Sequence, residues 1–215
     1  MTSTHLRRIA VLCLGIFLVT AAGAAPKVKR VQKLDKDAGA PFHNILVVTL
    51  FAEYGARRTL EKRIVSLLEE RGTKSVASTS MMDSNTPMTT STYIEMIDRI
   101  GADAVLVTQL IDANSDIKVK DANPQTTVNV RPTYYFNVWN VQVAEYVEPQ
   151  FVMAKAEVLI ATQMLSVEKE GSVWAIESTL KFKQDVSQPR PYVAYDQESK
   201  SIVKHLAKDR LIGKK

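Results

Sequence analysis

Apolar residues along this chain recur in two rhythms. From His43 to Phe51 they form a nearly unbroken run, NILVVTLF after the histidine. It is rich in branched side chains and predicts a strand buried on both faces. Gly55 breaks the run. Over Arg57 to Arg71 the rhythm changes, with Leu60, Ile64, Leu67 and Leu68 at the spacing of one helix face, and Gly72 supplies the stop. Lys74 to Ser78 reads as a second short strand around Val76, and Met81 to Thr90, with Asn85, Thr86 and Pro87, reads as a loop. Thr92 is the expected cap of a second helix, with Glu95 completing a capping box. Ile94, Ile97 and Ile100 are expected on its inner face and Gly101 at its end. Ala104 to Ile111, AVLVTQLI, predicts a third buried strand. Strands alternating with helices over short joins imply parallel pairing and right-handed crossovers.

The second half changes character. Asp112 to Pro132 is polar, with Asn114, Asp116, Asn123 and Pro124, and reads as a long excursion. Tyr134 to Tyr146 and Phe151 to Val167 alternate as long strands do, and Pro149 between them suggests a hairpin-like pair. Lys169-Glu170-Gly171 is a tight turn into a returning strand, Ser172 to Phe182. Such antiparallel neighbours are built to cover one face. Pro189 and Pro191 end the excursion, and a last helix is expected from about Tyr195 to Lys208, with Ile202, Val203 and Leu206 inward and basic residues at its end. The expected fold is therefore α/β, bordering on α+β: one mixed sheet, a β-α-β-α-β half, then long antiparallel strands and a carboxy-terminal helix.

The amino terminus has a different design. Arg7 and Arg8 precede an uncharged run, Ile9 to Val19, and then small residues from Thr20 to Ala25. This is the three-part plan of a cleavable export signal, and the run is shorter than the roughly 20 residues a membrane-spanning helix needs. Ala22-Gly23-Ala24 offers small residues for cleavage, which would leave Ala25 first. Leu12 before Cys13, and so little apolar sequence upstream, argue against lipidation there. The expected organisation is a signal over 1–24, a basic flexible linker over 25–42, one α/β domain over 43–212 and a tail over 213–215. The expected location is the periplasm, or the periplasmic side of the outer membrane.

Charge and thiol content narrow the function further. Cys13 is the sole cysteine, so the processed chain has no thiol for a disulfide, a zinc site or a nucleophile. Loss of Arg7 and Arg8 takes the basic residues from 28 to 26 against 23 acidic ones, and the formal net charge from +5 to +3. That is not a nucleic-acid-binding balance. Lys27, Lys29, Arg30 and Lys33 could make a weak contact with anionic headgroups. Asp35 and Asp37 interrupt the run, which favours a solvated spacer.

The search for chemistry is mostly negative. His43 and His205 stand at opposite ends of the chain, outside any metal-ligand spacing. Asp98 and Asp103 have no partner acid at a fixed spacing, and Asp103 before a strand suits turn hydrogen bonds. No serine has a GxSxG context. No catalytic residue, metal site or cofactor is expected. The helix start near Arg57 and Arg58 could hold a small anion, and Arg131 with Tyr134, Tyr135, Phe136 and Trp139 could stack a ring, although strand aromatics more often pack. Tyr54, Arg57, Asp112, Arg131 and Tyr134 are the weak candidates for ligand or partner contact.

The stretches NILVVTL, EERG before a short strand, IGADAVLVTQLID, EKEGSVWAIEST and IVKHLAKDRLI resemble a group of uncharacterised bacterial envelope proteins, many of them read as lipoproteins. More distantly, the order resembles the α/β domain of the curli-secretion lipoprotein, of the lipoprotein activators of penicillin-binding proteins and of the amino-terminal part of the Tol propeller protein. The resemblance implies an exported, non-enzymatic interaction or assembly role with an envelope protein as partner. This chain lacks the lipobox of those relatives. The expected contact surface is Asp112 to Pro132 and the sheet edge beside it. The alternative is a small-ligand binder or hydrolase with its site at the carboxyl ends of the first strands, near Tyr54, Arg57 and Asp112.

Overall fold

The computed structural model describes residues 25–34, 37–116, 155–183 and 191–213. In chain order the elements are β1 Lys27–Gln32, β2 Asn44–Leu50, α1 Tyr54–Glu69, β3 Lys74–Ala77, α2 Thr90–Ile100, β4 Ala104–Asp116, β5 Lys155–Ser166, β6 Gly171–Lys183 and α3 Pro191–Lys208. The strands form one open sheet in the order β1-β6-β5-β4-β2-β3. β2 pairs in parallel with β3 and with β4, whereas β4-β5, β5-β6 and β6-β1 are antiparallel. The expected α/β fold with one mixed sheet is the observed one.

The chain steps outward from β2 to β3 and then back across β2 to β4. Crossovers of one hand then put the two connecting helices on opposite faces. Leu60, Ile64 and Leu68 of α1 and Ile202, Val203 and Leu206 of α3 pack on one face against Ile45, Val47, Leu106, Met164, Trp174 and Ile176. On the other face Tyr93, Met96 and Ile97 of α2 cover Leu46, Val48, Val105 and Val107. Layers on both faces explain why β2 and β4 read as continuous apolar runs.

Several local expectations need correction. Lys27–Gln32 lies not in a flexible linker but in edge strand β1, because the outer side of β6 offers unpaired backbone. Val28 packs on the core, and Arg30 reaches Asp209 just beyond α3. Asp209 also accepts the indole N–H of the fully buried Trp174 at 2.8 Å, so one carboxylate ties β1 and β6 to the end of α3. α2 is capped by Thr89, whose hydroxyl accepts from the Thr92 N–H; Glu95 pairs with Arg99 on the surface. Its inner residues are Tyr93, Met96 and Ile97, with Ile100 packed beside them as expected, while Ile94 is exposed, because it falls outside the i, i+3, i+4, i+7 face those four define. Pro191 opens α3 rather than ending a loop, a position where its missing N–H costs nothing. Finally, β5 has β4 along one side and β6 along the other. Both of its edges are taken over the described length, Lys155–Ser166. Tyr134 to Tyr146 itself lies outside the described residues.

Candidate functional site

Open sheets with parallel strands place ligands outside the carboxyl ends of those strands, where the strand order reverses. Here that point lies beyond Leu50 of β2 and Gln109 of β4, which are register partners. The residues converging there come from the β2-α1 join, the first turns of α1 and the short 3₁₀ turn Ser78–Ser80 after β3.

Glu61 is the centre of this region. It is fully buried on α1. Its Oε1 accepts from the Thr49 N–H at 2.7 Å and the Ser78 hydroxyl at 2.9 Å. Its Oε2 accepts from the N–H and the hydroxyl of Thr79, both at 2.8 Å. Burial pushes the carboxyl up from its ordinary value, and the bonds from Thr79, Thr49 and Ser78 oppose that shift. The result is a clamp: one side chain of α1 satisfies donors from β2 and from the turn after β3. The spacing of Glu61 from Arg57 reads as an ordinary helix surface pair, so the sequence offered no signal for the clamp.

Tyr54 and Arg57 are brought together. The Arg57 guanidinium lies 5.2 Å from the centre of the Tyr54 ring, within cation-π range. The Tyr54 hydroxyl reaches the carbonyls of Thr79 and Met82 at 3.1 and 3.0 Å. Arg57 is buried, and its Nη1 contacts the Met88 sulfur. Tyr93, beneath them, has its phenol pushed up by burial and by the Glu61 carboxylate, against the opposing effect of Arg57.

The anion pocket expected at the start of α1 is already filled from within. Glu53 caps the helix, its carboxylate accepting from the N–H groups of Gly55 and Ala56 at 2.7 and 2.5 Å. A side chain at Gly55 would meet that carboxylate, 2.6 Å from where its Cβ would lie, so the glycine answers to the cap rather than to a phosphate. Asp112 lies half-buried on β4, opposite Leu159 of β5, and is not among the partners of Arg57. Arg131 and Tyr134 lie outside the described residues. Asp112 to Asp116, the start of the expected excursion, continue β4; they pair with β5 on one side, and among the described residues they extend past the last partner of β2, Gln109, on the other. The remainder of that segment lies outside the described residues.

Elsewhere, Asp103 accepts from the N–H groups of His43 and Asn44 at 2.7 and 3.0 Å, the turn role expected of it. His205 bonds through Nδ1 to the Ser201 carbonyl at 2.8 Å. Among the described residues no group of histidines and carboxylates is arranged to hold a metal ion, and no helix is long and apolar enough to cross a membrane. A groove of about 560 Å³ runs between α1 and β3; Tyr54 reaches it, and Arg57 and Asp112 do not.

These features define an open-sheet α/β domain in which Glu53, Tyr54 and Glu61 at the parallel strand ends are engaged in its own fold, while the Thr49 hydroxyl and the Arg57 Nε are buried without a hydrogen-bond partner. No family model matches the chain, and no curated protein matches it. Among solved structures it is similar to the PelC dodecamer from Paraburkholderia phytofirmans, at 12% identity and a TM-score of 0.45 over 86% of this chain and 97% of that one. A single-substitution variant of that dodecamer gives 12% identity and a TM-score of 0.44, over 86% and 98%. A likeness at this level speaks to neither function nor partner.

Proposed function

We propose that this protein is an exported cell-envelope accessory protein that acts as a non-enzymatic interaction or assembly module. The observation that carries the reading is the state of the strand-end polar groups. Glu61 accepts four hydrogen bonds, Glu53 caps α1, and Tyr54 bonds two carbonyls. A catalyst needs a nucleophile, an acid–base group or an oxyanion donor that faces substrate, and these groups face the fold. What the domain offers outward is surface and two strand edges, which are means of recognition. The export half rests on the basic, apolar and small-residue order of residues 7–25.

The test is made in cells. Photocrosslinking in living cells, with mass spectrometry of the products and amino-terminal sequencing of the fractionated protein, is expected to find a chain beginning at Ala25 outside the cytoplasm and joined to an envelope protein. A full-length cytoplasmic chain, or a diacylglyceryl group on Cys13, overturns the export assignment. Reproducible hydrolysis of an ester, phosphate, peptide or glycoside, abolished by Asp112→Ala or Arg57→Ala, overturns the non-enzymatic one.

A further inference from the structure

We infer that the groove between α1 and the free edge of β3 takes an extended, acidic segment of a partner protein, which joins the sheet as a strand beside β3. This names the partner chemistry for the interaction module proposed above and rests on that reading.

The backbone geometry comes first. Among the described residues β3 pairs only with β2, so its other side is a sheet edge there. The Lys74 N–H donates to the His43 carbonyl on the β2 side at 3.0 Å. Amides alternate along a strand, so those of Ser75 and Ala77 point to the free side. An edge of this kind is a template for another strand. It is also not bare: α1 runs beside it and makes a groove of about 560 Å³, with Val65 on the helix and Val76 and Ala77 on the strand as its partly buried apolar lining. Ser75 is itself buried, its hydroxyl turned to the Val65 carbonyl of α1, while Val76 and Ala77 are half-buried. An unpaired edge with an adjoining helix wall supplies backbone hydrogen bonds for affinity and a surface for alternate side chains of the incoming strand.

Charge decides the kind of segment. Arg58 and Lys62 line the groove one helix turn apart, both exposed. Neither forms an ion pair among the described residues. No acidic residue lines the groove. The one acid of this part of α1, Glu61, is turned into the core, and its charge is met by four donors there. Lys74 is exposed at the start of the same strand. The field over the groove is therefore positive, and an extended segment carrying aspartate or glutamate complements it.

The experiment is a selection of displayed random peptides of about ten residues, a strand's length, on protein purified from cells expressing the full chain. Enrichment of acidic positions alternating with apolar ones is expected. Selected peptides are then synthesised and titrated against three proteins. Arg58→Glu with Lys62→Glu should weaken binding by about tenfold or more, with a reduced salt dependence. Ala77→Pro should weaken it by about tenfold, because it removes one outward N–H. Ala77 already has φ −76°, close to the angle proline imposes, so β3 keeps its pairing with β2; denaturant melts confirm that each variant folds. Peptides without acidic preference, binding that survives both variants, or no retained peptide overturns the proposal. Self-association of the chain abolished by the same variants also overturns it, by assigning the edge to a second copy. Because binding is measured on purified protein, loss of the groove leaves the cellular crosslinking result standing. Conversely, failed crosslinking with peptide binding intact overturns the envelope role alone.

Discussion

Replacing Glu198 by glutamine should make the protein less sensitive to alkaline pH. Glu198 lies on the inner face of α3 with no exposure. Its Oε1 accepts from the Ser178 hydroxyl of β6 at 2.5 Å, and its Oε2 is buried with no hydrogen-bond partner. Burial pushes its carboxyl up to about 7 from the ordinary 4.5, with the Ser178 bond opposing. The folded chain therefore holds this proton between about 4.5 and 7, while the unfolded chain has released it. Stability from this group is fully present below that window and is lost as pH rises through it. Each pH unit in the window is worth about 1.4 kcal/mol, which gives a loss of about 2–3 kcal/mol between about pH 5 and about pH 8. The amide keeps an oxygen for Ser178 and brings a buried NH₂, whose cost is the same at every pH. Glu61, also shifted upward, is present in both proteins and cancels in the comparison. Urea melts of both proteins across this range give the difference directly. Relative to wild type, Glu198→Gln should gain about 2–3 kcal/mol on going from about pH 5 to about pH 8. Stabilities that run parallel within about 0.5 kcal/mol refute the reasoning, since they mean that the carboxyl reaches water or a partner.

Two further predictions concern packing and backbone. Leu106 is fully buried between Val47 of β2 and Met164 of β5, and Leu106→Ala should cost on the order of 2–5 kcal/mol through the cavity it leaves. Denaturant melts showing less than about 1 kcal/mol would mean that β4 is not central to stability. Gly101 ends α2 at φ 62°, and a Cβ there would meet no atom within 4 Å; Gly101→Ala should cost about 1 kcal/mol from the left-handed backbone alone. A change of only a few tenths of a kcal/mol in the same melts would contradict that account.

The sequence by itself determined the elements whose apolar residues follow a regular pattern. β2 and the first part of β4 were legible because a strand covered on both faces reads as a nearly continuous apolar run, whereas the polar end of β4, Asp112–Asp116, was not; α1 and α3 were legible because their inner residues repeat at helical spacing. The α2 face was in the sequence too, since Met96, Ile97 and Ile100 stand three, four and seven residues on from Tyr93, the spacing of one helix face, with Ile94 outside it. The Gly72 and Gly101 stops were legible because few residues but glycine tolerate those backbone angles, φ 77° and 62°; at the turn before β6 the left-handed residue is Glu170, φ 48°, and not Gly171. Three-dimensional packing decided the rest. β1 looked like a solvated spacer because an edge strand with one covered face needs only Val28 inside, and its lysines point to water. The Glu61 clamp joins residues 12, 17 and 18 positions apart. No local spacing records it, because the parallel crossover alone brings the ends of β2 and β3 to one side of α1. The groove at β3 is of the same kind. Arg58 and Lys62 are ordinary surface cations in the sequence, and the position of β3 at the end of the sheet puts them over an open edge.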